Sequence, residues 1–419
     1  GPMIDVAVLR HQPEVIVASL ERRGIDIDVG ALASLDEERR VVRSRAEELR
    51  AAQKALGKKV PTLEGDARQE AIEQAGQLSS DYKAALAAAD ELDARFEEVW
   101  ITVPNLADPT AAPGLTEEDS VEIKRWGEPT ATFEEKHDHV DLGVPRGLID
   151  IERAAKVSGS RFGYLMGPLV RLEFALVQFA FDRLEPHGFT PVVPPVLVRE
   201  NALFGTGFFP GDREQVYAVP EDELYLVGTS EVPLAAFHAD EILEVAVLPL
   251  RYVAFSTCFR REAGTYGKDT RGIFRVHQFD KIEMFSFAHP DESQREHDFL
   301  LEREEDLVQA LGLPYRVVNV AAGDLGDSAA KKYDIEAWFP GQDRYREITS
   351  TSNTTDFQSR RLKIRFSDDT GNRFVHTLNG TAIAMGRWLI AIVENNQQPD
   401  GSIVVPEALR PYVGFDAIS

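Results

Sequence analysis

The side chains best suited to chemistry lie in two neighbouring runs with the alternation of strands, residues 252–262 and 273–285, which a glycine-containing loop joins. Because side chains alternate between the faces of a strand, Arg260 and Glu262 are predicted to project together. The second run is predicted to present one charged and aromatic face: Arg275, His277, Phe279, Lys281 and Glu283. Arginines, an aromatic ring and carboxylates that converge from paired strands indicate a platform for an anionic ligand. The alternative is the solvated face of a half-exposed hairpin.

Two further places carry groups that could hold a ligand. Thr229 and Glu231 offer a hydroxyl and a carboxylate that could receive an ammonium group, and Ser230 between them is predicted to cap a helix. Glu347, in a polar strand near Ser350, could ligate a hard cation. Spacing alone favours the simpler interpretation of an exposed glutamate.

One arginine is predicted to be buried. Residues 382–394 are apolar on nearly all sides, which is typical of a buried helix, and a turn is predicted before them at Asn379–Gly380. Arg387 is the charge inside this helix, and a buried guanidinium needs an anion because its desolvation is costly. That anion is either a carboxylate of the protein, which the residues alone favour, or a phosphate of a ligand.

The elements that must position these side chains follow from the apolar spacing. A long apolar helix is predicted over residues 169–184. It leads into a strand over residues 189–198 whose three prolines place it at the edge of a sheet or at an interface. Further strands are predicted over residues 224–228, 345–353 and 374–378.

Composition excludes several classes of protein. The 419 residues are 43% hydrophobic and 28% charged, which is typical of a soluble globular protein with two or more domains. No apolar run approaches the roughly 18 residues of a membrane span. No secretory signal is expected, and Gly1 and Pro2 are interpreted as remnants of expression before a natural start at Met3. The single cysteine, Cys258, excludes an internal disulfide and fits a cytoplasmic location.

The formal net charge of −24 argues against a general affinity for DNA or RNA. Any nucleic-acid site must therefore be a local basic patch. The sequence has neither a phosphate-binding P-loop nor a glycine-rich dinucleotide fingerprint.

The first hundred residues carry a heptad pattern. Apolar residues recur at coiled-coil spacing over residues 32–60 and, after a break at Pro61, over residues 75–99. This predicts an antiparallel helical hairpin over residues 31–99. The proline-containing residues 101–114 are predicted to form the linker to the next domain.

The two arms of the hairpin carry opposite charge. The first arm is basic and includes Arg39, Arg43, Arg50 and Lys54, whereas the second is strongly acidic. Opposite charges can simply set the pairing of the two helices. Alternatively, the basic arm lies along an RNA backbone, and the sequence leaves both interpretations open.

Together these runs resemble the bacterial seryl-tRNA synthetases over essentially the whole chain. The resemblance rests on short motifs in the family's order: Thr229-Ser230-Glu231, Phe259-Arg-Arg-Glu-Ala-Gly264, His277-Gln-Phe279, Asn379-Gly-Thr381 and Gly386-Arg387. It implies an α+β fold, in which a class II synthetase catalytic domain on an antiparallel β-sheet flanked by helices follows an N-terminal antiparallel coiled-coil hairpin. It also implies a tRNA-binding domain over residues 1–105 and a catalytic domain over residues 106–419.

The resemblance implies a serine–tRNA ligase. Such an enzyme activates L-serine with ATP to seryl-adenylate, releases pyrophosphate, and transfers serine to the 3′ end of serine tRNA, and of selenocysteine tRNA where present. The implied partners are ATP, L-serine, serine tRNA and a second copy of the chain, with Mg²⁺ as the cofactor of ATP and with neither membrane nor DNA. The alternatives are an amino acid ligase for a carrier protein, which would not need the hairpin, and a non-catalytic tRNA-binding paralogue, which would not need the arginines and Glu347.

The resemblance also implies roles for single residues. The implied ATP-binding residues are Arg260, Glu262, Arg275, Phe279, Glu347, Ser350 and Arg387, of which Glu347 and Ser350 hold Mg²⁺. The implied serine-binding residues are Thr229, Glu231, Arg260, Glu283, Asn379 and Thr381. Arg260, Glu262, Arg275 and Arg387 are the implied catalytic residues, and Arg39, Arg43, Arg50 and Lys54 are the implied contacts to tRNA.

Overall fold

A computed structural model describes residues 4–129 and 136–419. The chain divides into two units. One comprises Ile25–Pro104 together with the described residues up to Glu21, and the other comprises Arg22–Gly24 and Asn105–Ser419.

The described residues form the following helices: α1 (Val6–His11), α2 (Pro13–Arg23), α3 (Val29–Lys59), α4 (Gly65–Trp100), α5 (His139–Gly143), α6 (Glu152–Ser158), α7 (Pro168–Leu184), α8 (Glu200–Thr206), α9 (Glu231–Ala236), α10 (Ser293–Ala310), α11 (Phe357–Leu362), α12 (Met385–Asn395) and α13 (Arg410–Val413). Over the same residues, none of these helices has both the length and the apolar character needed to cross a membrane.

The strands of the described residues are β1 (Val121–Trp126), β2 (Ile149–Asp150), β3 (Tyr164–Leu165), β4 (Phe189–Val192), β5 (Leu197–Val198), β6 (Ala218–Val219), β7 (Leu224–Leu226), β8 (Ile242–Glu244), β9 (Leu250–Phe259), β10 (Gln278–Ala288), β11 (Tyr315–Asn319), β12 (Lys331–Phe339), β13 (Arg344–Thr355), β14 (Arg365–Asp368), β15 (Gly371–Phe374), β16 (His376–Ala384), β17 (Ile403–Val404) and β18 (Ala417–Ile418).

The first unit is dominated by the helical hairpin that the heptads predict, which is thereby confirmed. Helices α3 and α4 pair along their length, and a single 3₁₀ turn over Val60–Thr62 lies between them. The Asp28 side chain accepts a hydrogen bond from the Ala31 amide and so caps the start of α3. Seam side chains of both helices are buried, among them Leu32, Ala46, Leu49, Ala89, Leu92 and Phe96.

The second unit is built on a sheet with the order β1-β11-β12-β13-β16-β10-β9-β4. Neighbouring strands are antiparallel except for the edge strand β4, which runs parallel to β9. The edge position predicted for the proline-containing strand is therefore confirmed for β4. It has a physical reason, since Pro191 has no N–H to donate to a second neighbour.

The core of the second unit lies where α7, α10 and α12 pack against this sheet. The predicted apolar helix over residues 169–184 is confirmed as α7, and its Leu172, Leu176 and Phe179 are buried with Trp388 of α12. Ile282 and Met284 on β10 face this core, so Lys281 and Glu283 project from the opposite face of the strand, which Phe285 and Phe287 continue as a second apolar cluster.

Two predicted elements near the motifs are wrong in their bounds. The loop between the paired strands is longer than predicted, because β9 already ends at Phe259 and β10 begins only at Gln278. This loop therefore contains four of the predicted strand residues: Arg260, Glu262, Arg275 and His277. Glu262 cannot belong to the strand, since its φ of 55° lies in the left-handed region that an extended strand excludes.

The predicted turn at Asn379–Gly380 is also wrong. Both residues lie inside strand β16, where Gly380 pairs with Thr351 of β13 on one side and with Met284 of β10 on the other. The glycine is closely packed, because a Cβ atom there would lie 3.2 Å from the Thr351 hydroxyl and 3.3 Å from a carboxylate oxygen of Glu304, closer than most Cβ contacts in proteins. The following helix begins at Met385 instead of Ala382.

Candidate active site

A cavity of about 890 Å³ in the second unit gathers the predicted ligand-binding residues. Strands β13, β16 and β10, which are adjacent in the sheet, supply many of its walls. All twelve residues predicted for ATP, serine and Mg²⁺ line this one cavity: Thr229, Glu231, Arg260, Glu262, Arg275, Phe279, Glu283, Glu347, Ser350, Asn379, Thr381 and Arg387. His277 is not among the residues that line it.

Arg260 sits between backbone and aromatic partners. Its Nε atom donates a hydrogen bond of 3.0 Å to the carbonyl oxygen of Gly228, and its guanidinium lies 5.0 Å from the centre of the Phe279 ring. Both contacts restrict the direction of the side chain while most of its N–H groups are left for a ligand.

Two more arginines of the cavity share a carboxylate. Asp269, in the loop between β9 and β10, lies 2.9 Å from Arg346 and 3.4 Å from Arg275, and Arg275 also pairs with Glu262 at 3.1 Å. Burial alone would raise the pKa of Asp269, but Arg346 and Arg275 outweigh it and lower that pKa. This corner of the cavity therefore already holds an anion between cations.

Arg387 has the internal carboxylate partner that the sequence favours. Its guanidinium lies 3.9 Å from a carboxylate oxygen of Glu347, donates a 2.8 Å hydrogen bond to the Glu347 carbonyl oxygen, and lies 4.2 Å from the centre of the Phe274 ring. The side chain is 21% exposed and lines the cavity, so an anionic ligand can reach it as well.

Glu347 and Ser350 reach the cavity because β13 is irregular. Three residues apart in a regular strand, they would lie on opposite faces. Strand β13 bulges between them, since Ile335 of β12 pairs with Thr349 whereas the next residue, Glu336, pairs with Glu347. The extra residue in the bulge restores both side chains to one face.

The two oxygen ligands fit a hard cation. Burial works against ionisation of Glu347, but Lys332 and Arg387 outweigh it and lower its pKa, so the carboxylate is charged at neutral pH. No group of three or more acidic, histidine or cysteine ligands occurs in the described ranges. Mg²⁺ suits such a sparse site, because it keeps several waters and binds substrate phosphates with only one or two protein ligands.

The other end of the cavity is built around Glu231. Asn379 and Gln358 each donate a hydrogen bond of 2.8 Å to the same carboxylate oxygen of Glu231. Burial and, secondly, the negative charge of Glu283 raise the pKa of Glu231 to about 7. A cation placed here would restore the ionised form.

Lys281 joins the two sides of this end. Its ammonium group donates a 2.7 Å hydrogen bond to the Thr229 hydroxyl and lies 3.0 Å from Glu283, whose carboxylate also accepts a 3.3 Å hydrogen bond from the Thr381 hydroxyl. All four side chains are less than a tenth exposed. Hydroxyl, carboxylate and ammonium groups are thus held at fixed positions against one small space.

The predicted helix cap at Ser230 is wrong. Ser230 already has helical backbone angles and makes no capping hydrogen bond, and its buried hydroxyl has no partner among the described residues. Instead, the Thr229 hydroxyl accepts a 3.2 Å hydrogen bond from the backbone amide of Glu231.

Four residues of the site received no role from the sequence. The sequence offers a signal for two of them: Lys281 alternates with Phe279 and Glu283 along a predicted strand, and Arg346 directly precedes Glu347. Asp269 lies in the loop, and Gln358 reaches Glu231 from helix α11, so no local pattern marks either of them.

The predicted tRNA contacts lie in the first unit. Arg43 pairs with Asp90 at 2.8 Å and also with Asp93, both on the opposite arm of the hairpin. Arg39 pairs with Asp36, and Arg50 donates a 2.8 Å hydrogen bond to the Tyr82 hydroxyl, whereas Lys54 is exposed. These pairs favour charge-guided helix pairing for Arg43, while a contact of these residues with RNA stays a prediction.

Comparison with known proteins decides the family. Residues 3–107 match the family model of the seryl-tRNA synthetase N-terminal domain, and residues 216–396 match that of the tRNA synthetase class II core domain (G, H, P, S and T). The chain is 52% identical to the serine–tRNA ligase of Acidothermus cellulolyticus over 417 residues, or 99% of each chain. The chain belongs to the seryl-tRNA synthetase family.

Solved structures of other seryl-tRNA synthetases share the whole fold. The enzyme from Pyrococcus horikoshii, complexed with ATP, is 41% identical with a TM-score of 0.94 over 99% of both chains. The cytoplasmic serine–tRNA ligase of Naegleria fowleri, in complex with AMP, is 33% identical with a TM-score of 0.89, over 99% of this chain and 98% of that one. The predicted family, fold class and ATP-dependent serine–tRNA ligase activity are confirmed.

Proposed function

We propose that this seryl-tRNA synthetase uses the cavity on β13, β16 and β10 to form seryl-adenylate from L-serine and ATP, with release of pyrophosphate, and then transfers serine from the adenylate to the 3′ end of serine tRNA, with release of AMP. The observation that carries the proposal is the division of one cavity into a carboxylate-rich end around Glu231 and Glu283 and an arginine-rich end around Arg260, Arg275 and Arg387. Serine carries an ammonium group and ATP carries phosphates, so the two ends match the two substrates in charge. The solved complex of the P. horikoshii relative with ATP supports the choice of ATP as the nucleotide.

At the carboxylate end, Thr229 and Glu231 would hold the serine ammonium group, with Asn379 orienting Glu231. Glu283 and Thr381, already 3.3 Å apart, would bind the serine hydroxyl. Buried groups placed to bind a hydroxyl disfavour alanine, because they are left unpaired without it. Selection of serine would therefore rest on hydrogen bonds as well as on size.

At the arginine end, the residues would position and neutralise anions. Arg260 would hold the α-phosphate and the serine carboxylate, and Arg275 would bind the outer phosphates. Glu262 would face the adenine, and Phe279 and Arg387 would stack on either side of it. The serine carboxylate is ionised at neutral pH, so its attack on the α-phosphate needs no general base. Positioning and charge neutralisation are the expected sources of rate.

Glu347 and Ser350 would hold the Mg²⁺ that accompanies ATP. When bound, the cation neutralises phosphate charge. Glu347 is suited to this, because neighbouring cations keep it ionised and its side chain is 44% exposed and lines the cavity.

The proposal extends to the remaining parts of the chain. Residues 1–105 would bind tRNA through the hairpin, using Arg39, Arg43, Arg50 and Lys54, and the enzyme would act in the cytoplasm, where tRNA is charged. A homodimer is supported by exposed apolar side chains on α7 and just after β4, since Phe174 on α7 is 60% exposed and Val193 after β4 is 79% exposed.

Serine-dependent exchange of pyrophosphate into ATP tests the proposal. With Mg²⁺, the folded protein should catalyse exchange with serine and far less with alanine. Arg260→Ala should keep the fold and lose nearly all exchange, because the α-phosphate loses its cation. A folded protein without serine-dependent exchange would contradict the proposed reaction, and a normal rate for Arg260→Ala would show that the phosphate site lies elsewhere.

A further inference from the structure

Glu304 is a buried carboxyl group behind the sheet, next to the carboxylate end of the cavity. It lies on α10 and is fully buried where that helix packs against β13 and β16. One carboxyl oxygen lies 3.2 Å from the Thr349 hydroxyl and would be 3.3 Å from a Cβ atom at Gly380. The other oxygen has no hydrogen-bond partner among the described residues, and over those residues no cation pairs with Glu304.

The number of hydrogens available to the Thr349 hydroxyl bears on the protonation state of Glu304. The Thr349 hydroxyl has one hydrogen, and it also lies in hydrogen-bond contact with the backbone carbonyl oxygen of Thr381, which can only accept. One hydrogen serves both contacts poorly: if Thr349 donates it to Thr381, then Thr349 can only accept from Glu304, and Glu304 has to be protonated. Burial and, secondly, the charge of Glu283 raise the pKa of Glu304 well above its ordinary value, in agreement with this assignment.

The contact between the Thr349 hydroxyl and the Thr381 carbonyl oxygen lies just beyond the last backbone pair between β13 and β16. The β13–β16 ladder ends at the pair Thr351–Gly380, so the Thr381 carbonyl is held by the Thr349 side chain instead. The Thr381 hydroxyl in turn donates to Glu283 at 3.3 Å. A continuous chain of contacts thus runs from Glu304 through Thr349 and Thr381 to Glu283.

We propose that Glu304 is a positioning residue for serine selection, which acts as a neutral hydrogen-bond donor to Thr349 and so fixes Thr381 beside Glu283. The inference rests on the proposed serine site, in which Thr381 and Glu283 receive the serine hydroxyl. Glu304 itself touches no substrate. Its loss would therefore weaken the recognition of serine and leave the binding of ATP almost unchanged.

Four single variants test this by pyrophosphate exchange. Glu304→Leu fills the space without a donor and should raise the KM for serine about tenfold, or about 1.4 kcal/mol, with the KM for ATP little changed. Glu304→Gln keeps a neutral N–H donor and should restore the wild-type KM for serine. Thr349→Val should reproduce the effect of Glu304→Leu and add little to it in the double variant, because both interrupt the same chain.

Glu305→Gln is the matched control. Glu305 is the next buried carboxyl on α10, but it accepts a 2.8 Å hydrogen bond from the Tyr315 hydroxyl and pairs with Lys124, so its replacement should leave the KM for serine unchanged. The inference is wrong if Thr349→Val keeps a normal KM for serine, if Glu304→Gln is as impaired as Glu304→Leu, or if the KM values for serine and ATP rise together. Absence of exchange in the wild-type protein would instead refute the proposed function.

Discussion

In the proposed serine site, the ionisation of Glu231 would make the capture of serine depend on pH. Glu231 must be charged to hold the ammonium group, and its pKa is raised to about 7, first by burial and then by Glu283. A raised carboxyl pKa means that the charged form is lost as the pH falls through this value. The kcat/KM for serine should therefore fall toward acid pH within the physiological range.

The size of the effect follows from the titration. With a pKa of about 7, the ionised fraction of Glu231 is about 0.76 at pH ~7.5 and about 0.09 at pH ~6. The kcat/KM for serine should fall about eightfold between these values, since it reports on the free enzyme. The α-amino group of serine is mostly protonated over this range, because α-amino groups titrate nearer pH ~8, and its own titration would act in the opposite direction to that of Glu231.

Pyrophosphate exchange at limiting serine and saturating ATP measures this profile. Glu231→Gln is the matched control, because its side-chain oxygen can still accept from Asn379 and Gln358 while it no longer titrates. This variant should have a low kcat/KM for serine that is nearly flat over the same pH range. A flat profile in the wild-type protein, or an unchanged slope in Glu231→Gln, would refute the assignment of the ammonium site.

Two predictions concern the hairpin. Deletion of residues 33–99 should leave serine-dependent exchange intact and weaken the charging of serine tRNA, and normal charging by the deleted protein would contradict a role of the hairpin in tRNA binding. Lys54→Ala should weaken tRNA binding and reduce the salt dependence of binding without lowering Tm. Arg43→Ala should weaken tRNA binding as well, and it should in addition lower the free energy of unfolding by up to about 1 kcal/mol, because the ion pairs with Asp90 and Asp93 are lost. An unchanged Tm for Arg43→Ala would contradict its role in helix pairing, and wild-type tRNA affinity for Lys54→Ala would contradict its role in tRNA binding.

Much of the site could be predicted because its side chains follow local patterns. Phe279, Lys281 and Glu283 alternate along β10, and the heptads of the first unit determine which sides of α3 and α4 meet. Such periodicity survives in the fold, because it decides which face of a strand or helix is buried.

The errors occur where distant contacts override local preference. Asn379–Gly380 has the composition of a turn, yet pairing with strands on both sides keeps it extended, and Glu304 packs closely against Gly380. The common face of Glu347 and Ser350 depends on a bulge that their spacing does not reveal. Glu304 itself is one of many glutamates on a charged helix until the sheet is packed against it.

The shared carboxylate of Asp269 has a consequence for the energetics of ATP binding. Arg275 and Arg346 are already paired with Asp269, and Arg387 lies near Glu347. In the proposed reaction, the arginines that ATP meets would already be paired, so the ATP phosphates would have to displace the carboxylate of Asp269 from them. The affinity would then report the difference between two sets of ion pairs, and the loop that carries Asp269 would change its partners whenever the phosphates arrive or leave.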